Sequence, residues 1–239
     1  LHLQGKANPM VGKESIPSVA YPNVASRDLA SPDLTYPDST DPNVTEASNV
    51  LVGAGDIANC NTSFDSATAT LLDSITGTVF TLGDNVYPDG TAQEFQDCYE
   101  PTWGRHKART MPVSGNHDYH VPGAAAYYDY FGASAGDPTK GYYSYDLANW
   151  HIVVLNSECS QVGGCTRSSA QGKWLEADLA AHPSACLLAY WHKPRFSSGA
   201  HGNNGSFSDF WNLLYEAGAE VILNGHDHVY ERFALQDAN

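Results

Sequence analysis

Thr78-Val79-Phe80-Thr81-Leu82-Gly83-Asp84-Asn85-Val86-Tyr87 is the stretch on which the reading turns. Its first five residues are β-branched or apolar, the composition of a buried strand. Its second half then offers a carboxylate, an amide and a phenol in quick succession. The same unit recurs along the chain. Val50–Ala54 runs into Gly55-Asp56, and Met111–Val113 into Gly115-Asn116-His117-Asp118. Ala185–Tyr190 runs into Trp191-His192, and Glu220–Leu223 into Gly225-His226-Asp227-His228.

Helical segments separate these strands: Asp65–Ile75 with Leu71, Leu72 and Ile75 on one face, Ala92–Tyr99, Ala124–Phe131, Ser169–Ala181 and Phe207–Ala217. Strands alternating with helices predict an α/β domain with a largely parallel sheet. Tyr142–Leu147 and His151–Leu155, joined by Ala148-Asn149-Trp150, read as a hairpin, which makes the sheet system mixed. In open α/β sheets the C-terminal strand ends converge on one crevice, so the donor clusters can meet in space. Glycine beside each donor fits the sharp turn from strand to loop.

Taken singly, each cluster is weak. Gly-Asp is ordinary turn chemistry, and a histidine after an apolar run is more often a core or rim residue than a ligand. Gly-His-Asp-His is sharper, because histidines at i and i+2 of a strand end can share one site. The joint occurrence, each cluster at a strand terminus, carries the metal-site reading. Carboxylate, amide oxygen, imidazole and phenolate form a hard-to-borderline donor set suited to Fe, Mn, Zn or Mg. No thiolate is required, which disfavours a cysteine-based structural zinc. Seven such donors exceed one ion's needs and fit a pair that shares a bridging carboxylate.

Composition narrows the partners. Across 239 residues, 12 Lys+Arg stand against 27 Asp+Glu, a net charge of −15. No basic stripe exists to neutralise phosphates, so no nucleic-acid partner is expected, and an anionic membrane surface would repel the chain. No apolar run is long enough to span a bilayer. Bound cations would offset part of the acidity. Residues 1–49 hold six of the 13 prolines and no sustained periodicity, and read as an extended linker or surface strap. Residues 50–239 form the globular domain. The chain opens at Leu1 without a basic stretch followed by an apolar one, so no signal peptide is expected within it.

Of five cysteines, Cys159 and Cys165 flank a short glycine-containing loop and read as a local disulfide. Cys60 and Cys98 each follow a donor loop and can pair; Cys186, in an apolar run, reads as a buried free thiol. Five reduced thiols are the alternative. Glycosylation sequons at Asn43, Asn61 and Asn204 fit an exported protein, secreted, periplasmic or extracellular.

The five blocks together resemble the metallophosphoesterases of the calcineurin-like superfamily, and within them the purple acid phosphatases. Asp84-Asn85-Val86-Tyr87 is the discriminating block, because the tyrosine separates that branch from the rest. The resemblance covers about residues 50–233 and implies two mixed β-sheets packed as a sandwich with helices on both outer sides. By position it implies ferric iron on Asp56, Asp84, Tyr87 and His228. It implies a divalent ion (Zn, Fe or Mn) on Asp84, Asn116, His192 and His226, with Asp84 bridging. It also places His117 and His201, the latter nine residues after His192, against the substrate phosphate as catalytic residues. A solvated loop histidine is the plain alternative for His201, and Asp118 is either a partner behind a ligand or a loop residue without a role.

The implied activity is hydrolysis of small phosphate monoesters by attack of a metal-bound hydroxide, with acid phosphatase character. Alternatives are a phosphodiesterase or nucleotide pyrophosphatase on the same metals, or a metal- or phosphate-binding protein without turnover. An acidic adhesion module would leave the five blocks unexplained. Superfamily members normally continue with strands that complete a second sheet, so C-terminal strands are expected to be missing from a chain that stops at Asn239. Residues 1–49 are too few for the N-terminal β-sandwich of larger members. Oligomeric state has no sequence signal.

Overall fold

A computed structural model describes residues 2–4, 49–183 and 186–238. In chain order the strands are β1 (His2–Gln4), β2 (Leu51–Ala54), β3 (Ala58–Asn59), β4 (Thr78–Thr81), β5 (Val86–Tyr87) and β6 (Thr110–Met111). They continue with β7 (Tyr143–Leu147), β8 (Trp150–Val154), β9 (Cys186–Trp191), β10 (Val221–Asn224) and β11 (Glu231–Arg232). Helices are α1 (Phe64–Asp73), α2 (Ala92–Glu94), α3 (Ala125–Phe131), α4 (Ala170–Ala181) and α5 (Ser208–Ala217).

Strands β2, β4 and β6 form a parallel three-stranded sheet in the order β2-β4-β6. A mixed six-stranded sheet has the order β11-β1-β10-β9-β8-β7, with β8, β9 and β10 parallel and β7 antiparallel to β8. β3 and β5 make a short parallel pair. The architecture is the expected mixed α/β sandwich.

Alternation along the strands explains the layering. Phe80 and Leu82 meet Ile152, Val154, Leu188, Tyr190 and Leu223 in a core between the two sheets. The intervening residues Val153, Leu155, Leu187, Ala189 and Trp191 point the other way and pack with Leu175 of α4 and Phe210 and Leu214 of α5. On the far side of the small sheet, Val52 and Val79 pack with Leu72 of α1 and with Tyr127 and Phe131 of α3. Strands buried on both faces therefore read as continuous apolar runs. Each fully buried large apolar side chain contributes about 1.5–3 kcal/mol.

The helix ends follow their sequence signals. Ser169 caps α4 by accepting the Gly172 N–H at 3.1 Å. Gly218, at φ 91°, closes α5 in the left-handed region. Thr91 and Glu94 form a reciprocal capping box at α2, after which Phe95–Tyr99 widens into a π-turn where a single helix was expected.

Three expectations need correction. In α1 the inward stripe is Asp65, Ala69 and Leu72, while Leu71 is 64% exposed and Ile75 is also exposed. Leu71 and Leu72 are a hundred degrees apart on a helix, so a face containing both was too wide. Cys186 is exposed, because it begins β9 and burial starts only at Leu187. The stretch read as linker also contains β1, which pairs antiparallel with β10 and parallel with β11. The remaining residues of that stretch up to 48, with the sequon at Asn43, lie outside the described residues. Both disulfides are present, Cys60–Cys98 and Cys159–Cys165, each with Cα atoms 5.1 Å apart.

Candidate metal centre

The loops leaving β2 and β4 remain paired beyond the sheet. Asp56 N–H donates to Gly83 O at 3.0 Å, Ile57 N–H to Asp84 O at 3.1 Å and Ala58 N–H to Asn85 O at 3.1 Å, leading into the β3–β5 pair. Farther along, Gly225 N–H donates to His192 O at 2.9 Å and joins the ends of β10 and β9. The donor clusters are thus held by backbone pairing and not by loop chance.

Four donor residues themselves occupy the left-handed region: Asp56 at φ 57°, Asp84 at φ 48°, His226 at φ 78° and His228 at φ 53°. Such conformations cost of order 1–3 kcal/mol each and persist where surrounding structure over-determines them. The neighbouring glycines serve another purpose as well. A Cβ on Gly115 would overlap Asp84 Oδ1, and one on Gly83 would lie 2.7 Å from the His192 ring. Glycine there permits close approach of donor to backbone.

All seven predicted donors come together, in two clusters. In the first, Tyr87 Oη lies 2.8 Å from Asp56 Oδ1, 3.1 Å from Asp84 Oδ2 and 3.0 Å from His228 Nε2. In the second, His192 Nε2 lies 3.1 Å from Asp84 Oδ2, 3.2 Å from Asn116 Oδ1 and 3.1 Å from His226 Nδ1. Asp84 Oδ2 belongs to both.

Counting protons shows what these clusters suit. His192 Nδ1 sits 2.7 Å from the Leu82 carbonyl oxygen and so carries a hydrogen. In neutral His192, Nε2 then presents a lone pair to two oxygens, Asp84 Oδ2 and Asn116 Oδ1, and to His226 Nδ1, which donates or accepts by its tautomer. The first cluster likewise gathers two carboxylate oxygens, a phenol and the His228 Nε2 within hydrogen-bond distance of one another. Without a cation, protonation or the choice of imidazole tautomer must relieve this crowding of lone pairs. Burial pushes the His192 imidazole down, but the Asp84 carboxylate outweighs it and lifts it to about 9. Burial and the neighbouring His192 hold His226 down to about 4. Burial and the carboxylates of Asp56 and Asp84 push the Tyr87 phenol well above its ordinary range. A cation in each cluster would replace those protons and invert the balance. The donor set therefore fits two ions that share Asp84.

His117 donates its backbone N–H to Asp84 Oδ1 at 2.8 Å. Its Nδ1 lies 2.5 Å from the Pro88 carbonyl oxygen, which leaves Nε2 facing the centre, 3.9 Å from Asp84 Oδ2. The ring remains partly open to solvent. His201 stacks on His226 with centroids 4.3 Å apart at 29°. It lies on an exposed loop, with its ring over the second cluster.

Asp118 is fully buried behind the site. It accepts the Gly115 N–H at 2.8 Å and the Asn85 side-chain amide at 3.0 Å. Burial and the nearby Asp84 charge push its carboxyl up to about 7. Asp118 is thus a partner behind the donor loops. Sequence reasoning missed His120, whose ring lies 4.7 Å from that of His117 while Nδ1 meets Asp89 Oδ1 at 3.1 Å. It also missed the hydrogen bonding of Asp227; a carboxylate between two donor histidines was the available signal.

Asp146, His151 and His182 gather at the opposite end of β8. His151 has both ring nitrogens on carboxylates, Asp146 and Asp178, each at 2.8 Å. Its ring stacks on His182 at 3.7 Å and 13°, so the two ring planes run nearly parallel and do not converge on a shared ion nearby. This group is an ion-paired clamp.

The Calcineurin-like phosphoesterase family model matches residues 46–230. Purple acid phosphatase 15 of Arabidopsis thaliana is 27% identical over 191 residues, covering 64% of this chain and 35% of the relative. Purple acid phosphatase 18 of the same plant is 28% identical over 164 residues, covering 64% and 34%. The chain thus spans about a third of the length of these curated relatives. Among solved structures, purple acid phosphatase PPD1 from yellow lupin (Lupinus luteus) seeds superposes with a TM-score of 0.56 at 16% identity, covering 74% of this chain and 37% of that one. GAP50, the anchor in the inner membrane complex of Plasmodium, superposes with a TM-score of 0.55 at 13% identity, covering 74% and 65%. These superpositions speak to the fold alone.

Proposed function

Because this chain belongs to the calcineurin-like phosphoesterase family, we propose that it hydrolyses small phosphate monoesters at its two donor clusters. The observation that carries this reading is the sharing of Asp84 Oδ2 between Tyr87 and His192, at 3.1 Å from each. Two cations bound there would polarise phosphoryl oxygens and acidify a water. Asp56, Asp84, Tyr87 and His228 would hold one ion, and Asp84, Asn116, His192 and His226 the other. The phenol favours ferric iron in the first cluster, and the imidazole-rich second cluster suits Zn, Fe or Mn.

His117 presents Nε2 to the phosphate position while Pro88 fixes its other nitrogen. It is placed to hydrogen-bond a phosphoryl oxygen or protonate the leaving alkoxide. His201, stacked on His226, would contribute a second imidazole from the loop that follows β9. The GAP50 likeness shows that this fold also occurs in an anchor, so the fold does not decide turnover. Every donor position is filled and two imidazoles remain accessible, which favours turnover over mere phosphate binding. Export to an oxidising compartment is supported by two disulfides and by the exposed sequon at Asn61. Among the described residues no helix is long and apolar enough to cross a membrane.

The test is hydrolysis of p-nitrophenyl phosphate and bis(p-nitrophenyl) phosphate by metal-loaded protein, alongside metal content by elemental mass spectrometry. Turnover of the monoester, lost on chelation and restored by metal, is expected. Preference for the diester would replace the monoesterase reading, and metal-loaded protein inert to both esters would overturn it.

A further inference from the structure

Asp227 stands between His226 and His228, and its side chain leaves in the other direction. It is buried, and it is absent from both donor clusters. Its Oδ1 accepts the backbone N–H of His201 at 2.7 Å. Its Oδ2 accepts the hydroxyl of Ser197, whose oxygen in turn accepts the Gly199 N–H at 2.9 Å. A Cβ on Gly199 would lie 2.6 Å from the Asp227 carboxyl carbon, so the loop backbone rests directly on this side chain. The turn of this loop is closed by Ser197 N–H donating to Asn203 Oδ1 at 2.8 Å and by Gly202 N–H to Gly199 O at 3.2 Å.

The rest of the loop explains why such a tether matters. Gly199, Gly202 and Gly205 give it more conformational freedom than any other residue type would. Ala200 and His201 are exposed, so apolar burial does not hold the segment in place. Hydrogen bonds to an ionised carboxylate are the stronger class. His201 is fixed at two points, its N–H on Asp227 and its ring on His226, and both belong to one turn.

We propose that Asp227 is a positioning residue, which orients the His201 imidazole over the centre by clamping its loop to the turn that supplies His226 and His228. The proposal rests on the phosphoesterase reading for its kinetic consequence, but not for its geometry. Asp227 would act through His201 alone, with no contact to substrate.

The experiment is a double-mutant cycle in metal-loaded protein with p-nitrophenyl phosphate as probe. Asp227→Ala is expected to lower kcat about 10- to 100-fold, the scale of a misplaced group, with metal content unchanged. Asp227→Asn should keep most of kcat, because its oxygen still accepts from His201 and its amide can donate to Ser197. In a His201→Ala background Asp227→Ala should cost nothing further. An equal loss in that background, or parallel loss of metal, overturns the proposal. Ser197→Ala removes one of the two bonds and offers the same cycle if Asp227→Ala does not fold. The ring contact is also read without turnover, from imidazole resonances of His201 and His226 in zinc-loaded protein. Asp227→Ala should shift both, and unshifted resonances overturn the proposal even if the wild type hydrolyses nothing.

Discussion

The backbone N–H of His226 donates to Oδ2 of Asp56 at 2.8 Å, across 170 residues of chain. This bond joins the loop after β2 to the loop after β10. It fixes one carboxylate oxygen of Asp56 and leaves Oδ1 for Tyr87. The two halves of the centre are therefore positioned by each other.

Asp84 is the one side chain common to both clusters. Asp84→Asn keeps the shape and removes the shared charge, so both ions should be lost together and not one of two. Elemental analysis of the purified variant reads this directly. Retention of one full equivalent would show that Asp84 serves a single cluster.

Tyr87 tests the identity of the first ion. In iron-loaded protein, Tyr87→Phe should abolish visible absorbance while most turnover of the monoester remains. Colour that survives the substitution would move the phenol out of the donor set.

His117→Ala should lower kcat by about 10²–10⁴-fold, the range of a lost general acid, with metal content intact. The ring hangs from Pro88, and its Nε2 lies 3.9 Å from Asp84 Oδ2, farther than the 3.1 Å at which Tyr87 and His192 meet that oxygen. Equal losses of metal and turnover would make it a ligand.

His151 gives the fold a pH dependence away from the centre. Burial lowers its pKa, but hydrogen bonds to Asp178 and Asp146 outweigh this and raise it above the ordinary 6.5. Asp146 is 68% exposed and screened, so Asp178, at 11%, is the effective partner. A raised pKa means the stabilisation is complete below about pH 6.5 and fades as pH rises through the folded value. Denaturant midpoints should therefore fall with rising pH, and Asp178→Asn should flatten that slope. An unchanged slope in the variant would assign the pH dependence elsewhere.

The two disulfides should differ in weight. Cys60–Cys98 closes a separation of 38 residues and Cys159–Cys165 one of 6. Loop-closure entropy assigns them about 4 and about 2 kcal/mol respectively. Thermal unfolding of the two serine double variants checks the order.

The centre was legible because its donors sit directly after strands, where apolar runs and glycines mark the boundary. Thr78–Leu82 followed by Gly83-Asp84 needs no tertiary knowledge to be read as a strand with a donor at its end. The sandwich layers were legible for the same reason, since runs such as Leu187 to Trp191 are buried on both faces. What failed depends on neighbours that lie far away in the chain. Which stripe of α1 turns inward is decided by Val52 and Val79 beneath it, and Leu71 carries no mark of facing solvent. β1 has only three residues and pairs with β10 and β11 near the other end of the chain, so no local period announces it. The left-handed backbone of Asp56 and Asp84 has no local mark either, because a glycine that could make the turn already precedes each.

The order in which the ribosome delivers these residues has a consequence for loading. Asp56, Asp84 and Tyr87 emerge early, but their cluster lacks its imidazole until His228 has been synthesised. The other cluster waits for His226, and Asp56 itself is oriented by that residue's backbone. Neither binding place is complete until His226 and His228 have been made, 170 residues after Asp56 and 141 after Tyr87. A metal held at either place would thus require strands from both sheets, β2 and β4 from one and β10 from the other.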